Sequence, residues 1–110
     1  MIDCIAIGDE IAARMSLLLP CAPMTEVGRT PFGEAALMRD VRADRVLISL
    51  GTYPAHYRDP NLAADMRYVR SRVEAGQVVW ILPLQPEARE AVRRVAAQYK
   101  DVVVEVPRAF

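Results

Sequence analysis

Five apolar, β-branched runs alternate along the chain with segments of helical period. The runs cover residues 2–7, a weaker 22–27, 45–50, 77–84 and 102–106. Between them Ile11, Met15, Leu18 and Leu19 fall on one helical stripe, Ala35, Leu37, Met38 and Val41 on a second, and Leu62, Met66, Val69 and Val73 on a third. A fourth starts at Pro86, a favourable first-turn residue, and runs through Ala88, Val92, Val95 and Tyr99, with Asp101 opening the turn into the last strand. Asp59-Pro60 or Asn61 suits the start of the third helix, and Gly76 suits its end as a left-handed cap. The spacing predicts the order βαβαβαβαβ, with neither linker nor repeat.

Right-handed crossovers reduce the topologies for such a chain to a small three-layer, doubly wound, flavodoxin-like parallel sheet of about five strands, most simply in the order 2-1-3-4-5. In that order the first helix covers one face, and the second, third and fourth share the other. A fifth helix would return to the first face, but no fifth helical stripe follows the last strand. The fourth strand is nevertheless apolar on both sides, with Val78, Trp80 and Leu82 alternating against Val79 and Ile81. Either a second copy or another protein covers the bared face of strands three to five, centred on Trp80, Ile81 and Val104, or the first helix and the C-terminal tail with Phe110 fold over it.

Composition narrows the class. The 110 residues are 53% apolar and 25% charged, which suits one globular domain over residues 1–110 and excludes disordered and collagen-like chains. No apolar run approaches the roughly 18 residues of a membrane span, and Met1-Ile2-Asp3-Cys4 lacks a basic leader, so a cytoplasmic protein is expected, with incorporation into a particle left open. Fourteen basic residues balance fourteen acidic ones, so neither nucleic acid nor a membrane surface is expected as a partner. Cys4 and Cys21 fall near the starts of neighbouring strands, where a disulfide would fit, but in a cytosolic-looking chain they read as buried thiols. Arg67, Arg70 and Glu74, with Arg89, Arg93 and Arg94, read as a solvated, ion-paired face of the third and fourth helices.

Ligands of doubly wound sheets bind at the carboxyl ends of the strands, around the point where the strand order reverses. The residues predicted there are Gly8-Asp9-Glu10, Gly28-Arg29-Thr30, Gly51-Thr52-Tyr53-Pro54 and those from Pro83 to Gln85. Ile5-Ala6-Ile7-Gly8-Asp9-Glu10-Ile11-Ala12 resembles the first block of the SGNH (GDSL-type) hydrolases, in which Gly-Asp-Ser follows the first strand and the serine is the nucleophile. Ile48-Ser49-Leu50-Gly51-Thr52-Tyr53-Pro54 resembles that family's Gly-x-Asn-Asp block, and Gly28 stands where the family places an oxyanion-hole glycine. The resemblance implies the fold. It also implies lost activity, because Glu10 replaces the nucleophile, Tyr53 the oxyanion-donating Asn and Pro54 the following Asp, and no Asp-x-x-His block follows the last strand. One missing oxyanion donor alone costs about a hundred- to a thousandfold in rate.

The leading expectation is therefore a non-catalytic SGNH-like pseudoenzyme, a structural or protein-interaction subunit of a homo-oligomer or larger assembly such as a virion, with no cofactor and no metal. Two alternatives use the same mouth. Asp9, Glu10 and His56 could form an esterase-like or lyase-like acid–base site, completed by a neighbouring subunit. Arg29, Tyr53 and Tyr57 could hold a sugar or another small molecule. Receiver-domain phosphorylation lacks its Asp after the third strand, since Leu50-Gly51 stands there, and a dinucleotide would meet the anionic Asp9 and Glu10 in place of a glycine-rich turn.

Overall fold

The computed structural model describes residues 3–52 and 61–105. Nine elements follow in chain order: β1 (Cys4–Gly8), α1 (Glu10–Leu18), β2 (Ala22–Thr25), α2 (Pro31–Leu37), β3 (Val41–Ser49), α3 (Leu62–Ser71), β4 (Val73–Leu82), α4 (Pro86–Tyr99) and β5 (Val102–Glu105). The five strands form one parallel sheet in the order β2-β1-β3-β4-β5, the doubly wound arrangement expected from the alternation of periods. Among the described residues no helix is long and apolar enough to cross a membrane.

The two faces of the sheet are unequally filled. On one, Ile5, Ile7, Val46, Ile48, Val78, Trp80 and Leu82 pack against Met66 and Val69 of α3 and Ala88, Val92 and Val95 of α4. Burying this many branched side chains, at about 0.8 kcal/mol per methylene, makes it the main source of stability. On the other face a much smaller cluster joins Ala6 and Leu47 of the sheet to Ala12 and Met15 of α1, with Cys4, Cys21 and Val79 beside them. Beyond α1 lie the same-face residues of β4 and β5, Val79 in register with Val102 and Ile81 with Val104. Val102 is 43% exposed. Val79 and Val104 are half-buried, whereas Ile81, predicted at the centre of the bared surface, is 1% exposed and contributes nothing to it.

Trp80 belongs to the opposite face. It is completely buried there, and its indole Nε1–H donates to Asp101 Oδ2 at 3.0 Å, so it cannot form part of the bared surface predicted for it. Strand alternation makes the correction unavoidable, since Trp80 and Ile81 point to opposite sides. Phe110, the tail residue proposed to fold over this surface, lies outside the described residues.

Both central strands start four residues earlier than predicted. Val41 and Val73 open β3 and β4 in register with each other, and Gly76, expected as a helix cap, lies inside β4. The two strands share an irregularity: pairing steps from Ala43↔Ala75 to Arg45↔Gln77, and the core side changes from Val41 and Ala43 to Val46 and Ile48. A Cβ on Gly76 would sit 3.1 Å from the Asp44 carbonyl oxygen, which accounts for glycine at this close approach. The third helix ends instead at Ser71, capped by Arg72. Pro86 opens α4 as predicted, and Lys100 closes it in the left-handed region at φ 58°.

The cysteines are joined. Cys4 and Cys21 form a disulfide between the start of β1 and the residue before β2, in place of two free thiols. The adjacency of the first two strands brings the two Cα atoms to 4.6 Å, within bonding range.

The Arg-rich surface is also less uniform than expected. Arg70 is drawn inward, its Nε and Nη2 donating to the two oxygens of Asp101 at 2.6 and 3.0 Å, with its guanidinium 4.3 Å from the centre of the Tyr99 ring. Glu74 lies on β4 and pairs with Arg42. The Arg94–Glu90 pair and the exposed Arg67 and Arg93 fit the solvated-face reading.

Candidate functional site

At the switch point the chain must turn sharply out of β1. Gly8 has φ +127°, and a Cβ there would lie 1.9 Å from the Ser49 carbonyl oxygen, so only glycine lets β1 approach β3 this closely. The next amide, Asp9 N–H, donates to that same oxygen at 3.1 Å.

Asp9 is the N-cap of α1. Its Oδ1 accepts from Ile11 N–H at 3.1 Å, and its Oδ2 accepts the Thr52 hydroxyl from the loop after β3. Ser49 adds a further side-chain hydrogen bond, and the carboxyl is completely buried. Burial is the largest influence on it and lifts its pKa above the usual Asp range; the bonds from Thr52, Ser49 and Ile11 pull the other way, and neighbouring Glu10 adds to the rise. All three of these hydrogen bonds come from the protein's own turn. Asp9 therefore fastens β1, α1 and the β3 loop together.

Glu10, the first residue of α1, turns its carboxylate toward the loop after β2, where Gly28 N–H donates to Oε2 at 3.1 Å. The residue at the nucleophile position of the SGNH resemblance and the glycine at its oxyanion position thus meet directly. They meet as acceptor and donor. The Gly28 amide, at φ +81°, is engaged by a fixed anion of the chain itself. The same loop is held by Glu26 N–H to the Gly8 oxygen at 3.0 Å and by the Arg29 guanidinium, which bridges Glu26 at 3.0 Å and Glu34 at 3.2 Å.

Glu34 is a residue of the mouth that the sequence reading did not single out, and Thr52, expected there within Gly51-Thr52-Tyr53-Pro54, had no role assigned to it. Glu34, on α2, is buried and its Oε1 has no hydrogen-bond partner among the described residues; burial raises its pKa and Arg29 partly opposes the rise. A Glu in the first turn of a short helix carries no burial signal of its own.

Among the remaining predicted site residues, Arg29 is at the mouth but is spent on its two glutamates. Tyr53, Pro54, His56 and Tyr57 lie outside the described residues, so the acid–base and sugar-binding readings lose their central side chains from view. Among the described residues no group of three or more His, Cys, Asp or Glu comes together in a way that could hold a metal ion. Among the described residues, shallow grooves lie along Arg42–Asp44 and Glu74–Gly76 and between the starts of α3 and α4 along Leu62, Pro86 and Glu90.

No family model matches this chain, and neither a curated protein nor a solved structure matches it.

Proposed function

We propose that this protein is a non-catalytic, SGNH-like interaction module that associates with a second copy or another protein through the α1 side of β4 and β5. The observation that carries the reading is the uneven filling of the sheet: Val102 and Val104 present an apolar surface beyond the small α1 cluster, whose outer member is Val79, while the other face is packed by α3 and α4. Contiguous exposed apolar surface beside polar residues is the usual mark of a contact site. Here the polar border is the Arg45–Gln77 hydrogen bond at 2.8 Å.

The mouth supports the non-catalytic half of the proposal. A carboxylate at the nucleophile position cannot form an acyl-enzyme by the serine route, and the amide that would stabilise an oxyanion already donates to that carboxylate. Asp9 is consumed in holding the turn.

Light scattering over a concentration series tests the proposal. The parent chain is expected to run as a multiple of 12.3 kDa, or to do so once its partner is co-expressed, and the Val102→Asp/Val104→Asp variant is expected to run as a folded monomer. A parent that stays monomeric at every concentration and with every co-expressed candidate refutes the reading.

A further inference from the structure

We propose that the Cys4–Cys21 disulfide is a redox-controlled clamp on the edge strand β2, whose reduction releases that strand and unhooks the Gly28 loop from Glu10. β2 is four residues long and mostly exposed, and among the described residues its hydrogen-bonded neighbour in the sheet is β1 alone. One of its four residues, Pro23, has no N–H to donate. Such a strand has little apolar burial to hold it, which is the condition for local opening below the free energy of global unfolding.

Its two ends are secured differently. At the lower end the disulfide ties Cys21 to β1, supported by Cys21 N–H to the Ser16 oxygen at 3.1 Å. At the upper end the ties are Glu26 N–H to the Gly8 oxygen and Gly28 N–H to the Glu10 carboxylate. Only the lower tie is covalent, and only it responds to redox conditions.

The two sulfurs differ in access. Cys21 is 6% exposed, whereas Cys4 is half-buried, so Cys4 is the more accessible half of the bond for an incoming thiolate. Attack there forms a mixed disulfide at Cys4 and breaks the bond to Cys21, whose sulfur leaves as thiolate and takes a proton. The Leu19 carbonyl oxygen lies 3.3 Å from Cys21 Sγ, so the new thiol has an acceptor in place. The second thiol of a dithiol reductant then displaces Cys4, which is protonated in turn. Two electrons and two protons pass to the protein, and the reductant becomes a disulfide.

Hydrogen exchange followed by mass spectrometry and NMR on the full chain, air-oxidised and then treated with dithiothreitol, tests the clamp. Reduction is expected to add the mass of two hydrogens, to speed exchange at the Glu26 and Gly28 amides by about tenfold or more, and to leave Val46 to Ile48 of β3 unchanged, with reversal on reoxidation. The Cys4→Ala/Cys21→Ala variant is expected to exchange like the reduced chain under both conditions. Three results would each overturn the proposal: two free thiols in the air-oxidised chain, equal exchange at Glu26 and Gly28 in both states, or acceleration in β3 equal to that in β2.

Discussion

Replacing Asp101 with alanine removes one acceptor group that three donors share: Arg70 Nε at 2.6 Å, Arg70 Nη2 at 3.0 Å and the Trp80 indole N–H at 3.0 Å. The Asp101 side chain is 3% exposed and that of Arg70 12%, so water can replace little of what is lost. Breaking one partner of a buried ion pair costs about 3–5 kcal/mol, part of which here is an indole N–H left without an acceptor inside the core. Small domains have only about 5–15 kcal/mol of stability in total. For a chain of this size each kcal/mol moves Tm by about 4 °C, so Asp101→Ala is expected to melt on the order of 12–20 °C below the parent. Urea denaturation and thermal melts monitored by Trp80 fluorescence would measure it. Arg70→Met closes a double-mutant cycle, because removing both partners avoids the orphaned charge that either single change leaves behind. The double variant is expected to be more stable than the sum of the two losses predicts by about 2 kcal/mol or more. A loss below about 1 kcal/mol for Asp101→Ala, or additivity of the two changes within about 0.5 kcal/mol, would refute the view that this network anchors α3, β4 and the start of β5.

Three further outcomes are expected. Gly51→Ala should destabilise by about 2 kcal/mol or more in urea titration, because φ is +90° there and the new methyl would sit 2.7 Å from the Ala88 Cβ. Asp9 and Glu34 keep their protons to higher pH in the folded state than in the unfolded one, in both cases chiefly through burial. Their joint contribution to stability is therefore greatest below the ordinary carboxylate range and falls as pH rises through the raised values; a pH series of melts should show Asp9→Asn losing less stability than the parent over that interval. Glu105 works in the opposite sense, since its hydrogen bond with Arg89 lowers its pKa and its contribution is lost as pH falls.

The alternation of periods made the order of elements and the topology legible, because parallel strands and their crossover helices leave distinct apolar spacings. The starts of β3 and β4 were misread for a definite reason. Val41 lies three residues after Met38 and Val73 four after Val69, so each extends a helical stripe by one position. The competing signal was alternation over two, Val41-Arg42-Ala43-Asp44 and Val73-Glu74-Ala75-Gly76, in which every second residue is exposed or nearly so. At the mouth, the meeting of Glu10 with Gly28 followed from their places at the carboxyl ends of the first two strands. Burial of Glu34 and the Asp101–Trp80–Arg70 network did not, since they depend on tertiary distances that no local pattern encodes. The disulfide was read the wrong way because the expected compartment outweighed the adjacency of the two strands.

The shared irregularity at Asp44 and Gly76 has a consequence for any contact made on the α1 side. Below it that face of β3 and β4 carries Arg42, Asp44 and Glu74, with Arg42 and Glu74 paired at 2.8 Å; immediately above it come Arg45 and Gln77, and only then Leu47, Val79 and Ile81. The face is thus divided across its width into a charged lower band and an apolar upper one, in which Leu47 and Ile81 are buried and half-buried Val79, beside Val102 and Val104 of β5, is the part left to a neighbour. A flat partner cannot slide along the strands without driving its own apolar surface onto fixed charges, so the step in the sheet works as a ruler that sets how far down a neighbour can sit.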